Sequence, residues 1–99
     1  MDLDRFRKSL TGNAPPDGLT APLEALWWEA KGDWTRAHEV AQAQEDASSS
    51  WVHAYLHRVE GDLGNAGYWY RRAGRPPVNG ALKTEWNMLV ETLIEQTAS

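Results

Sequence analysis

The segment Gly61-Asp62-Leu63-Gly64-Asn65-Ala66 has the pattern of a tight turn between two helices. Glycine ends a helix readily, because it adopts the left-handed backbone conformation without steric cost. Aspartate begins the next helix, because its carboxylate accepts a hydrogen bond from a free amide of the first turn. The same Gly-Asp pair stands 29 residues earlier, at Gly32 and Asp33. The sequence therefore predicts two units, each built as helix, turn and helix.

The residues on either side of the two turns repeat as well. When the chain is shifted by 29 residues, Ala25 and Ala37 coincide with Ala54 and Ala66. The apolar residues before each turn have the spacing i, i+3, i+4, i+7, which places them on one helix face. They are Leu23, Leu26, Trp27 and Ala30 in the first unit, and Val52, Tyr55, Leu56 and Val59 in the second. We expect small residues where the two helices of a unit approach closely.

The composition favours an all-α fold. The chain has thirteen Ala and ten Leu against five Val and one Ile, and strands prefer the β-branched residues that are scarce here. A loop is expected over residues 11–20, a polar break over 45–49, and Asn79 is the expected N-cap of the last helix. The capping and breaking residues predict helices over about residues 3–10, 21–31, 33–44, 50–60, 62–73 and 80–97.

Length, charge and cysteine content exclude several classes of protein. Ninety-nine residues suit one domain, and the lack of cysteine excludes disulfide scaffolds, thiolate metal sites and cysteine nucleophiles. A net charge of −4 argues against nucleic acid or an anionic membrane as the partner. No apolar run is long enough to span a bilayer, and Met1-Asp2-Leu3-Asp4 is too acidic to begin a signal peptide. We therefore expect a cytoplasmic globular protein.

The segment Gly61–Ala66, followed by Tyr68-Trp69-Tyr70-Arg71-Arg72-Ala73 and Pro76, resembles the second half of a tetratricopeptide or Sel1-like repeat. The first unit matches less closely, since Ala41 stands where an aromatic residue is usual. The resemblance covers about residues 21–77 and implies stacked antiparallel helical hairpins. Its units would be residues 21–48 and 50–77 within a domain of 21–99, and the helix over 80–97 would cover the second unit. Residues 1–20 would form a short helix and a loop in front of this domain.

A second likeness concerns the helix before the Gly61-Asp62 turn. The string Trp51-Val52-His53-Ala54-Tyr55-Leu56-His57-Arg58, with the Tyr-Trp-Tyr-Arg-Arg-Ala-Gly-Arg-Pro segment after the turn, is similar to a group of small uncharacterised bacterial proteins. This likeness implies no activity.

The surplus of aromatic residues favours a protein or peptide partner. Trp51 and Tyr55 lie one turn apart, on the helix face that lines the partner-binding surface in tetratricopeptide folds. Tryptophan, tyrosine and arginine also dominate interface hot spots. We therefore predict a small interaction module, with partner-binding residues Trp28, Trp51, Tyr55, Arg58, Tyr68, Trp69 and Arg72. The alternative is that these aromatic residues pack the terminal segments of the chain.

The rival hypothesis is a small metal- or ligand-binding protein, possibly an enzyme, centred on His53, His57 and the segment Tyr68–Arg72. The two histidines have the i, i+4 spacing that allows them to share a cation. His38 or a carboxylate such as Glu24 would supply a third ligand. The simpler alternative is that the histidines are buried between packed helices.

No catalytic set is recognisable, so we favour a protein without enzymatic activity or a cofactor. The serines stand in no nucleophile elbow, and no glycine-rich phosphate loop is present. The arginines near Trp69 alternate with aromatic residues, as in single-strand nucleic-acid binders, but a long positive groove is not expected in an acidic protein.

The last predicted helix suggests self-association. Its apolar stripe is wider than one neighbouring helix needs, and such a surplus is typical of an interface. We predict a homodimer, unless residues 1–20 fold back over the same stripe. The stripe consists of Leu82, Trp86, Leu89, Val90, Leu93 and Ile94.

Overall fold

The computed structural model describes residues 1–98, and within this range the chain is all-helical, without a strand. The predicted all-α class is therefore confirmed. No helix in this range is long and apolar enough to cross a bilayer. The six helices are α1 (Leu3–Ser9), α2 (Ala21–Ala30), α3 (Trp34–Gln42), α4 (Ala47–Glu60), α5 (Leu63–Ala73) and α6 (Leu82–Ala98).

Both Gly-Asp turns form as predicted. Gly32 and Gly61 adopt left-handed conformations, with φ of 89° and 87°. The carboxylates of Asp33 and Asp62 each accept a hydrogen bond from the amide three residues later, at 3.1 and 3.2 Å. These turns join α2 to α3 and α4 to α5, and each pair of helices is in extensive contact.

Two predicted helix boundaries are wrong. α4 begins at Ala47 rather than residue 50, because the carboxylate of Asp46 accepts the amide hydrogen of Ser49 at 3.3 Å and caps the helix. The expected polar break thus forms the first turn of α4. α6 begins at Leu82, so Asn79 is not its N-cap. Gly80 has φ of 106°, which is incompatible with a helix at that position.

α4 is the central helix of the fold. It contacts α2, α3, α5 and α6, and every side chain from residue 49 to 57 is buried. Polar groups on this helix are therefore removed from water and must find partners within the protein.

The C-terminal helix was predicted to cover the second unit, but in the structure it covers both units. α6 packs against both α2 and α4, the first helices of the two units. The indole nitrogen of Trp86 donates to the carbonyl oxygen of Leu26 at 3.2 Å. The buried carboxylate of Glu85 also accepts hydrogen bonds from Arg58 on α4 and from the hydroxyl of Tyr70 on α5. This long-range ion pair fixes α6 in place.

The N-terminal helix covers the other side of α6. Phe6 is fully buried, and its ring centroid lies 5.7 Å from that of Trp86. Residues 1–20 thus supply the fold-back that was the alternative to a dimer, although Leu82 and Met88 of α6 remain exposed. The dimer stays a prediction. Apart from Leu82, the apolar stripe on which it depended is largely covered by other parts of the same chain.

Candidate metal centre

Three histidines converge between α3 and α4. His53 and His57 lie one turn apart on α4, and α3 brings His38 against them. The Nε2 atoms of His38 and His53 are 2.8 Å apart, so one imidazole donates a hydrogen bond to the other. One ligand nitrogen from each histidine lies within 4.8 Å of the other two. Within residues 1–98, these three histidines are the group of potential metal ligands that is largely buried.

Two tryptophans form the walls of the cluster. Trp69 of α5 stacks on His53 with ring centroids 3.8 Å apart, and Trp34 of α3 stacks on His38 at 4.9 Å. The indole nitrogen of Trp34 donates to the carbonyl oxygen of Leu56 at 2.8 Å, which holds that ring in place. His53 is only 4% exposed, whereas His38 is half-buried and forms the solvent side of the cluster.

Burial favours the neutral forms of His38 and His53. The pKa of His53 is lowered to about 4, first by desolvation and then by the neighbouring charges of His38, His57 and Arg72. Desolvation and the charge of His57 also lower the pKa of His38. A neutral imidazole has a free lone pair, which is the form that binds a metal ion.

Glu60 orients the third histidine. Its carboxylate lies 2.6 Å from Nδ1 of His57, three residues earlier on α4. A neutral His57 donates its Nδ1–H to this carboxylate, which leaves Nε2 as the nitrogen with a lone pair. Carboxylates in this position fix the tautomer and the orientation of metal-binding histidines. Sequence analysis missed Glu60, although its i+3 spacing from His57 was a visible signal.

Of the two candidates for a third ligand, the structure brings together His38 and not Glu24. The carboxylate of Glu24 instead accepts the indole N–H of Trp28 at 3.2 Å, four residues later on α2. His38 reaches the cluster because α3 packs directly against α4.

Two of the predicted partner-binding residues are not on the surface. Trp51 and Tyr55 are 3% and 2% exposed. α6 packs against α2 and α4, and its Trp86 lines the same cavity as Tyr55. The guanidinium of Arg75 lies 3.9 Å from the Trp51 ring centroid. Both aromatic residues therefore take the packing role that was their alternative.

The other predicted partner-binding residues have mixed environments. The side chain of Arg58 is taken up by Glu85, and Trp28 is half-buried beneath the guanidinium of Arg36, 4.3 Å from its ring centroid. Trp69 is occupied by His53 on one side and lies 5.1 Å from the guanidinium of Arg72. Exposed members of the set are Tyr68 and Arg72 on α5.

Comparison of the chain with known protein families, with curated proteins and with solved structures finds no significant match. The resemblance to tetratricopeptide and Sel1-like repeats therefore stays a prediction, and function has to be argued from the side chains themselves.

Proposed function

We propose that this protein binds a divalent transition metal ion through His38, His53 and His57. The observation that carries the proposal is the approach of three imidazoles in a largely buried cluster, with two Nε2 atoms 2.8 Å apart. Imidazole nitrogens suit zinc, copper, nickel and cobalt, whereas magnesium and calcium require oxygen ligands. Zinc is the ion we favour, because three histidines are a frequent zinc ligand set.

The geometry requires an adjustment to accept the ion. Zinc–nitrogen bonds of about 2.0–2.1 Å place tetrahedral ligands about 3.3 Å apart, so the contact between His38 and His53 must open by about half an ångström. The nitrogen of His57, which lies within 4.8 Å of the other two, must come to about the same separation. His38 is the half-buried member of the set, and it can move towards solvent more easily than His53. A fourth position would then be filled by water or by an external ligand.

Thermal unfolding in the presence of metal tests this proposal. Protein without a histidine tag is heated with and without a small excess of ZnCl₂, and a bound ion raises the melting temperature because it binds only the folded state. Histidine-to-alanine variants at His38 and His53 should lose the shift. Glu24→Gln is the matched control, because this carboxylate was the other candidate ligand and the structure places it against Trp28.

The result is taken as the metal-dependent shift within each variant, so a variant that is less stable without metal still gives an answer. Trp34 and Trp69 stack on the cluster and supply a second signal, since Ni²⁺ or Cu²⁺ bound there should quench their fluorescence. An unchanged melting temperature in the wild type, or an equal shift in His53→Ala, would overturn the metal proposal.

A second candidate function is the interaction module, and the outer face of α5 favours it. Tyr68 on this helix is 46% exposed, and Arg72 lies one turn beyond it on the same side. Tyrosine and arginine are enriched in hot spots for a protein or peptide partner. Trp28 is a further, half-buried contributor.

Affinity capture with matched variants tests this second function. A specific partner should be retained by the wild type and by Trp51→Phe, whose change is confined to the core. The same partner should be lost with Tyr68→Ala. Equal capture by wild type and Tyr68→Ala would remove α5 as the binding surface.

A further inference from the structure

A separate cavity of about 330 Å³ lies on the other side of α4 from the histidines. It opens between the end of α1, the C-terminal turn of α2, the middle of α4 and the first turns of α6. Its apolar wall includes Leu10 and the ring of Trp86. A volume of this size is in the range of small-molecule sites.

Three polar groups in this cavity have no hydrogen-bond partner among residues 1–98. They are the carboxyl group of Glu29, the hydroxyl of Tyr55 and the amide oxygen Oδ1 of Asn87. Oδ1 of Asn87 is completely buried, and Tyr55 is a core residue. Oδ1 of Asn87 has no access to solvent, whereas the carboxyl group of Glu29 is half-buried and lines the cavity, so Glu29 is the group that an external partner can reach.

The chemistry of these groups defines that partner. The carboxylate oxygens of Glu29 are hydrogen-bond acceptors, so they require a donor such as an ammonium group. Arg7 and Lys83 also line the cavity, and neither forms an ion pair with Glu29. Both cations are exposed and reach the cavity from its rim, where they would attract an anionic group.

We propose that this cavity binds a small zwitterion of the amino-acid type. Its ammonium group donates to Glu29, its carboxylate faces Lys83 and Arg7, and its apolar side chain packs on Trp86. The inference is independent of the metal site, since it uses none of the three histidines.

The ionisation of Glu29 supports a cationic partner. Desolvation raises the pKa of Glu29 to about 7, so its ionised form is destabilised when no cation is nearby. Glu29 also stands in the last turn of α2, where the negative end of the helix dipole disfavours an acidic side chain. A bound ammonium group would relieve both effects, and its binding at neutral pH would release a proton from Glu29.

Calorimetric titration with a matched set of ligands tests the proposal. L-phenylalanine carries both charged groups, phenethylamine lacks the carboxylate, and 3-phenylpropionate lacks the amine. At about pH 8, where Glu29 is ionised, the amino acid should bind at least tenfold more tightly than either analogue, because each analogue loses a charge-assisted hydrogen bond. Titrating L-leucine as well tests whether the apolar side chain need be aromatic.

Variants locate the site. Glu29→Gln should weaken binding of L-phenylalanine about tenfold or more, and Glu24→Gln, on the same helix but outside the cavity, should leave it unchanged. Glu29→Gln keeps the shape of the side chain and removes a desolvated charge, so it should fold. The proposal is overturned if neither amino acid binds at about 10 mM, if 3-phenylpropionate binds as tightly as L-phenylalanine, or if Glu29→Gln binds like the wild type.

Discussion

His53 and His57 lie on one face of α4, and Tyr55 lies on the opposite face, about 200° around the helix. On the histidine face, the imidazoles are paired, as in the contacts of His38 with His53 and of His57 with Glu60, although the hydroxyl of Ser49 one turn earlier is buried without a partner among residues 1–98. On the face of Tyr55, polar atoms share one cavity without pairing. The histidine cluster and the cavity thus differ in how their hydrogen-bonding capacity is met.

Burial shifts pKa values in opposite directions on the two faces, because one face carries a base and the other an acid. It lowers the pKa of His53 to about 4 and raises that of Glu29 to about 7, so both groups are favoured in their neutral forms. A metal ion on the histidine face would take the place of the hydrogen bond between His38 and His53. A ligand on the other face would bring its own donors and its own charge. Similar burial on the two faces of α4 therefore suits two different kinds of partner.

The largest expected effect comes from breaking the ion pair that holds α6 over the cavity. Glu85→Ala leaves the buried Arg58 without its partner and should lower the free energy of unfolding by about 3–5 kcal/mol. Glu91→Ala, on the exposed face of the same helix, should change it by less than about 0.5 kcal/mol. Urea denaturation measures both, and similar values for the two variants would show that Glu85 does not fix α6.

Glu60 offers the sharpest test of the histidine face. Glu60→Gln keeps a hydrogen-bond acceptor near Nδ1 of His57 and removes the charge, so zinc affinity should fall by about 10- to 100-fold. Binding is measured by competition with a chelator of known affinity. This prediction depends on the proposed metal site. Glu91→Gln, at an exposed acidic residue on α6, is the control and should keep the affinity of the wild type.

The pH dependence of stability tests the cavity face without any ligand. Because the folded-state pKa of Glu29 is about 7 against an ordinary 4.5, the folded protein holds this proton more tightly than the unfolded chain. The free energy of unfolding therefore falls as pH rises from 4.5 to 7. Partial solvent exposure reduces this effect to about 1–2 kcal/mol.

Glu29→Gln should remove this decrease in the free energy of unfolding. The variant and the wild type are expected to be equally stable below about pH 4.5, and the variant more stable above about pH 7. Chemical denaturation at a series of pH values gives the difference directly, with the contributions of His53 and other groups cancelled. A constant difference across this range would mean that Glu29 keeps its ordinary pKa.

Local signals made part of this architecture predictable. The Gly-Asp turns and the His53–His57 spacing each depend on residues within a few positions, and both are found where the sequence placed them. The path of α6 depends on Arg58 and Glu85, which stand 27 residues apart, and no periodic pattern reveals such a pair. Because burial also depends on such long-range contacts, the sequence did not decide whether Trp51 and Tyr55 are buried. The sequence signal for Glu29 was an acidic side chain in the last turn of a helix, where the helix dipole disfavours it.

The smallest expected effect is that of Tyr55→Phe, which is compared with the same chemical change at the other buried tyrosine, Tyr70. Tyr70→Phe removes a hydroxyl that donates to the buried carboxylate of Glu85, so it should cost about 1.5–3 kcal/mol of unfolding free energy. Tyr55→Phe removes a hydroxyl that has no partner among residues 1–98, so the change should stay below about 0.5 kcal/mol. The two aromatic rings remain in place, and hence packing is nearly the same in both variants. Equal losses in urea denaturation would mean that the hydroxyl of Tyr55 is already paired and that the cavity face is as well satisfied as the histidine face.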